Sequence, residues 1–173
     1  MIDELITEVM KAEGWDTYTD HPADRGGPTK WGITLKAWQE WRAHDISADD
    51  IKAITESQAR DFYEKLYVIG PSFHLLPERI VPLAVDCGVN HGTGRASKWV
   101  QEAVGTKQDG VLGPISLKAV QDSNHIATYL QIVATRVKFY GRLVSKDHTQ
   151  AVFASGWNNR AAKFLVTLAQ SLK

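Results

Sequence analysis

Apolar side chains recur at helical spacing along almost the whole chain, with one long interruption between Trp15 and Thr34. That pattern decides the class of fold, because a stripe returning every three or four residues buries one face of a helix and does not suit a strand. The first stripe is the clearest. Ile2, Leu5, Ile6, Val9 and Met10 lie on one face of a helix expected over residues 2–13. Thr34 is a candidate N-cap for a helix over 35–44, and Ser47 with Asp50 and Thr55 with Gln58 form capping boxes for helices over 48–54 and 56–68. A buried helix is expected over 78–90, where Ile80, Val81, Leu83, Ala84, Val85, Cys87 and Val89 are apolar nearly all round and Pro82 falls in the first turns. Further helices are expected over 94–104, from Pro114, from Asn124 to about 145, and over 157–172. The expectation is a mainly α fold of about eight helices, with a small loop or β-hairpin region near residues 15–34.

The interruption is dense in turn formers, from Asp20-His21-Pro22-Ala23-Asp24 to Arg25-Gly26-Gly27-Pro28-Thr29, and a hairpin turning at Gly26-Gly27 is expected. Continuing the first stripe one turn past Val9 reaches Glu13, so a carboxylate falls on the inward face just where Gly14 stops the helix. A charge in such a place is costly unless it has a task. Desolvation in general favours a protonated carboxyl, the form with which a glycosidase hands a proton to the departing sugar oxygen. The loop bearing Asp20, Asp24 and Thr29 is then the place for a group that handles water or the sugar cation. The plainer reading pairs Glu13 with an arginine and gives the aspartates to turn capping. Spacing alone leaves both open. Trp15 and Trp31 flank the loop with faces suited to sugar rings, although large aromatics more often pack in cores.

Composition removes several other classes. Of 173 residues, 43% are hydrophobic and 23% charged, the balance of a globular chain long enough to bury a core without disulfide or metal staples. No apolar run approaches the ~20 residues of a membrane span. Twenty basic and twenty acidic residues cancel, so charge gives no support to nucleic acid or an anionic membrane as partner. One cysteine allows no internal disulfide. The six histidines show no close pairing of the zinc-site kind, and neither metal nor cofactor is expected. Cys87 and His91 lie four apart, which invites a thiol-protease reading, but a buried free cysteine among valines is the commoner case. Lys163 and the apolar residues after it make an amphipathic helix for which packing is the default over membrane contact. Met1-Ile2-Asp3-Glu4-Leu5 lacks the basic start and apolar core of a secretory signal, so synthesis in the cytoplasm without a signal peptide is expected.

Glu13-Gly14, then Asp20, Pro22, Asp24, Gly26-Gly27, Thr29 and Gly32-Ile33-Thr34 resemble the N-terminal signature of glycoside hydrolase family 108. These are lysozyme-like peptidoglycan muramidases, found mostly as phage endolysins and bacterial lysis proteins. Two departures stand out: Trp15 occupies the place of a second glycine, and His21 is inserted between Asp20 and Pro22. The second half is similar as well. Asp86-Cys87-Gly88-Val89-Asn90-His91-Gly92 continues the hydrolase pattern, while Trp99-Val100-Gln101, Asp109-Gly110-Val111-Leu112-Gly113-Pro114, Phe153, Gly156-Trp157 and Arg160 resemble a peptidoglycan-binding half. The order Glu, Asp, Thr is also similar to that of phage lysozymes in the same superfamily.

The resemblance implies a lysozyme-like catalytic half over residues 1–92 and a helical peptidoglycan-binding half over 93–173, packed as one compact unit. It implies a muramidase cleaving the β-1,4 bond between N-acetylmuramic acid and N-acetylglucosamine. Glu13 would be the general acid, Asp24 the second carboxylate with Asp20 as its rival, and Thr29 a water-positioning hydroxyl. Trp15, Asp20, Trp31, Asn90 and His91 would contact the glycan. The expected partner is the peptidoglycan glycan strand in the Gram-negative periplasm, reached by a monomeric phage-type endolysin through a holin-dependent route. The competing function is a non-catalytic peptidoglycan-binding or secretion-activator protein on the same scaffold.

Overall fold

The computed structural model describes residues 2–20, 27–43 and 45–173. Asp24, and Gly26 of the expected hairpin turn, lie outside the described residues. Contacts gather into two units, Met1–Gly70 and Pro71–Lys173. The chain is mainly α, with nine α-helices and one small antiparallel sheet among the described residues.

In the first unit, α1 (Ile2–Ala12) buries Ile6, Val9 and Met10, the inward stripe of the sequence pattern. Each such side chain contributes roughly 1.5–3 kcal/mol when fully buried. Three two-residue strands follow: β1 (Tyr18–Thr19), β2 (Thr29–Lys30) and β3 (Ile33–Thr34), paired in the order β1-β2-β3. Thr34 caps α2 (Leu35–Arg42), its side chain accepting from the Ala37 N–H. Both expected capping boxes form, at Ser47 before α3 (Ala48–Lys52) and at Thr55 before α4 (Glu56–Glu64). Helix α4 packs on α1 and buries Ala59, Phe62 and Tyr63, and Arg60 joins the two helices through Asp3 at 2.9 Å and Thr7 at 3.0 Å. Trp38, Trp41 and Phe62 make an aromatic cluster beneath α2.

The helix expected over 56–68 changes character at its end. Its α form stops at Glu64, and Lys65–Ile69 continues as one π-helical turn closed by Gly70 N–H donating to the Lys65 carbonyl. A π turn costs regular hydrogen bonding and is tolerated where side chains gain from the altered rotation. Here it seats Val68 in the core and leaves Tyr67 half-buried beside Tyr63.

The second unit is built on α5 (Val81–His91), α6 (Thr93–Ala103), α7 (Pro114–Gln121), α8 (His125–Lys146) and α9 (Ala151–Gln170). The expected buried helix starts at Val81 rather than 78, after a turn bonded to the Pro77 carbonyl, with Pro82 in its first turn where no N–H is needed. Asn124 caps α8 as expected, accepting from Ile126 and Ala127. The last helix begins six residues before the expected 157. Asp147 caps a short 3-10 turn that runs straight into α9, so the helix is already formed before Gly156 and passes through it. Tyr129 on the Phe164 carbonyl and Tyr140 stacked on Trp157 at 5.3 Å show that α8 and α9 lie antiparallel. Among the described residues no helix is long and apolar enough to cross a membrane.

One carboxylate joins three of these helices. Asp86 on α5 accepts from Arg136 of α8 at 2.6 Å and from Arg160 of α9 at 2.8 Å. The Arg136 side chain has no exposed surface, and its Nε donates to Tyr140. Tyr140 also meets the His91 ring at 3.1 Å. Burial, then the Arg136 charge, holds His91 down at about 4. Cys87 beside them is fully buried, and burial pushes its thiol up to about 12, which removes it as a nucleophile at neutral pH.

Two outcomes follow from this packing. Gly32 has φ +74°, and a Cβ there would lie 2.6 Å from Glu13 Cβ and 2.9 Å from the Glu13 carbonyl oxygen. Gly32→Ala is therefore expected to cost about 2–4 kcal/mol, from left-handed strain plus overpacking. Gly156→Ala, helical and facing open space, should stabilise by about 0.5–1 kcal/mol. Denaturant midpoints for the pair check both signs. His91 is neutral in the folded chain down to about 4 but titrates near 6.5 when unfolded. Between those values the unfolded chain binds more protons, so stability falls as pH falls, by on the order of 1–2 kcal/mol after allowing for the ring's partial exposure. Melting profiles of wild type and His91→Phe across that range should converge toward acid, and parallel profiles would show that the ring does not couple to folding.

Candidate active site

The end of α1 is a Schellman motif. The Trp15 N–H reaches the Met10 carbonyl at 2.8 Å, and the Gly14 N–H reaches the Lys11 carbonyl at 3.4 Å. Gly14 sits at φ +106° as the first residue past the cap, which makes Glu13 the C-cap of α1 and Trp15 the second residue beyond it. A carboxylate at this point faces the negative end of the helix dipole, an unfavourable place for its charge. Glu13 is nonetheless half-buried there, not turned out to water.

What presses on it is the turn between β2 and β3. Pairing of Thr29 with Thr34 and Lys30 with Ile33 leaves Trp31-Gly32 as a two-residue connection. Both residues have positive φ, 57° and 74°, the signature of a type I′ turn. A tryptophan in that conformation costs roughly 1–2 kcal/mol. Two hydrogen bonds and burial hold it: the indole N–H donates to the Ile54 carbonyl at 3.0 Å, the Tyr63 hydroxyl donates to the Trp31 carbonyl at 2.8 Å, and the residue is 4% exposed. Trp31 is thus a core residue, and Trp15 leans on it edge-to-face at 5.3 Å while remaining half-exposed itself.

The Gly-Ile-Thr triplet gains a separate physical reason at each position. Gly32 lets the turn touch Glu13, Ile33 is buried at 1% exposure, and Thr34 caps α2. Thr29 lies on β2, half-buried, its hydroxyl donating to the Gly27 carbonyl at 3.0 Å. Lys30 anchors the sheet through the Lys52 carbonyl at 3.0 Å and Asp16 at 3.3 Å. Asp20 is exposed and accepts from the Tyr18 hydroxyl at 3.3 Å. Asp24 falls outside the described residues.

Two residues that sequence reasoning did not single out belong to this site. Burial raises the hydroxyls of Tyr63 and Tyr67 above the ordinary tyrosine range, and the nearby Glu13 charge adds to the rise in both. They are therefore neutral donors at any working pH. Their four-residue spacing marks one helix face, but nothing in it indicates that this face looks toward Glu13, 50 residues before Tyr63.

The remaining candidates lie in the second unit. Asn90 is exposed and its amide donates to the Asp86 carbonyl at 2.7 Å, while His91 packs among Trp99, Phe139 and Tyr140. No group of three or more metal-binding side chains occurs among the described residues.

Residues 6–92 match the family model described as Glycosyl hydrolase 108, half of the chain. Residues 95–162 match a second model, described as a predicted peptidoglycan domain. No curated protein matches the chain significantly. Among solved structures, the Brucella abortus protein SagA is similar at 29% identity with a TM-score of 0.80, over 94% of this chain and 90% of that one. With its helix-end glutamate, its Gly-Ile-Thr turn and its matched first half, the chain belongs to the glycosyl hydrolase 108 family and carries a peptidoglycan domain after the hydrolase domain.

Proposed function

We propose that the chain is an N-acetylmuramidase of the endolysin type, cleaving the β-1,4 bond between N-acetylmuramic acid and N-acetylglucosamine in Gram-negative peptidoglycan. The observation that carries this reading is Glu13 itself, half-buried at an electrostatically unfavourable helix end and packed against a strained turn. Stability alone gives no reason to keep an acid there. A proton donor beside a sugar-binding surface does.

In this reading Glu13 protonates the glycosidic oxygen as the bond to the anomeric carbon breaks. Trp15 offers the half-exposed aromatic surface of the site, with Trp31 as its buried support. Thr29 already spends its proton on the Gly27 carbonyl, so its oxygen is left to accept from a water. A water that donates to Thr29 keeps a lone pair for the anomeric carbon. Asp24, or Asp20 in its place, takes the proton that this water loses. The substrate is periplasmic wall, reached by a holin-dependent route, and the working form is a monomer.

Glu13→Gln keeps the shape of the side chain but has no acidic proton to give, so lysis of permeabilised Gram-negative cells should drop about 10²–10⁴-fold. Folding should be unchanged by circular dichroism. Mass spectrometry of the wild-type digest should show N-acetylmuramic acid at the new reducing ends. Near-normal lysis by Glu13→Gln, or N-acetylglucosamine at those ends, would overturn the assignment. Asp24→Asn and Asp20→Asn compared in the same assay identify the second carboxylate.

Attack by a water held on Thr29 means cleavage with inversion, for which the two carboxyl groups stand about 6.5–9.5 Å apart. Proton NMR of the first product, taken before mutarotation, should show the α-anomer. The β-anomer would mean direct attack by a carboxylate.

A further inference from the structure

The second unit contains an open depression of about 420 Å³ at the corner between α5 and α6. His91, Arg95 and Lys98 form one side of it, and the Asp109-Gly110 turn forms the other. We propose that this depression receives the peptide stem of peptidoglycan, with Arg95 and Lys98 taking its carboxylates and Asp109 its side-chain ammonium. The proposal rests on the reading that the second unit binds peptidoglycan, and names which part of that polymer it grips.

The walls are prearranged. Gln101, 1% exposed, ties the turn from beneath: its amide donates to Asp109 Oδ1 at 2.8 Å, the Val111 carbonyl at 3.0 Å and Ser116 at 3.1 Å. Its oxygen accepts from the Gly110 N–H at 2.9 Å. Gly110 then lies so close to α6 that a Cβ would stand 3.1 Å from the Gly94 carbonyl oxygen and 3.3 Å from Lys98 Cε. Ordering such a turn in advance lowers the entropic cost of binding.

Among the described residues neither Arg95, Lys98 nor Asp109 forms a salt bridge, although the Lys107 cation stands near enough to Asp109 to act on it. Arg95 is oriented by the Phe139 ring, 4.7 Å away, and reaches only the His91 carbonyl at 3.4 Å. The Gln101 amide, then the Val111 N–H and the Lys107 charge, hold the Asp109 carboxyl below the usual range, so it is ionised. His91 is neutral near pH 7 and adds no charge. The depression therefore presents two cations facing one anion. Val111 beside it is 70% exposed, an apolar shoulder for a methyl group.

That lining discriminates within the polymer. A glycan strand presents hydroxyl and acetamido groups, and its lactyl carboxyl is consumed in the amide to the stem. The stem carries free carboxylates, small methyl side chains and, where it contains a diamino acid, an ammonium group. Bidentate guanidinium–carboxylate contact gives direction as well as charge to such recognition.

The test uses the full chain. An N-acetylated stem tripeptide ending in a diamino acid is titrated while amide resonances of residues 92–98 and 109–111 are followed by NMR. Those signals are expected to move, Arg95→Gln/Lys98→Gln should raise Kd at least tenfold, and acetylating the peptide's ammonium should weaken wild type but not Asp109→Asn. Asn keeps the Oδ1 acceptor that Gln101 and Val111 use, so the turn survives the change. Unmoved signals, or an unchanged Kd in the double variant, would overturn the proposal. Binding of full-length Glu13→Gln to immobilised glycan strands, with their stems intact or stripped by amidase, separates the two readings. Equal binding to both, with a silent peptide titration, rejects the stem site and keeps the peptidoglycan-binding reading. No binding to either rejects both.

Discussion

The first unit depends on how closely the turn at Trp31-Gly32 approaches the end of α1. A left-handed tryptophan, a glycine that leaves no room for a Cβ and a buried tyrosine hydroxyl meet at one helix terminus. Each is unfavourable or demanding alone. Together they hold Glu13 from below by backbone capping and from the side by the sheet. Local strain of this kind persists only where surrounding packing over-determines it, and it gathers where function sets the geometry. The three short strands would not be stable by themselves. They are anchored to the helices: Thr34 caps α2, Lys30 and Trp31 donate to the Lys52 and Ile54 carbonyls, and Tyr63 of α4 donates to the Trp31 carbonyl.

The second unit uses a different kind of constraint. Asp86 lies between two guanidinium groups, and the cluster continues through Tyr140 to His91. A buried ion pair is seldom a large net source of stability, because desolvation offsets most of the attraction. Removing one member is another matter, and leaving the buried Arg136 without its carboxylate would cost roughly 3–5 kcal/mol. The cluster therefore acts on specificity of packing, setting the register of α5, α8 and α9 on one another. It also keeps His91 uncharged at the rim of a depression whose charge is set by Arg95, Lys98 and Asp109.

Much of the helical framework was legible in the chain. Ser47 with Asp50, Thr55 with Gln58, Thr34 and Asn124 each cap the helix expected from them, since capping is a local matter of a side chain and an N–H two or three residues on. The π turn at Lys65–Ile69 and the early start of α9 were not legible. Both depend on what the side chains meet: Val68 and Tyr67 in the first unit, Tyr140 stacked on Trp157 in the second. Trp31 illustrates the same limit within the site. Its composition suits a sugar face, yet its position in a tight turn sends the ring into the core.

By itself the sequence determined that the chain is helical with one irregular interval, that a glutamate closes the first helix on its inward side, and that its motifs resemble those of the glycosyl hydrolase 108 family. Periodicity, capping and a glycine stop are short-range, and a few residues suffice to specify them. Only the tertiary structure decided what surrounds that glutamate: Gly32 close against it, and Tyr63 and Tyr67, 50 and 54 residues onward, near enough to feel its charge. It likewise paired Asp86 with Arg160, two motif residues 74 positions apart. Such contacts come from the packing of whole elements, and no local pattern carries the rotation of one helix relative to another.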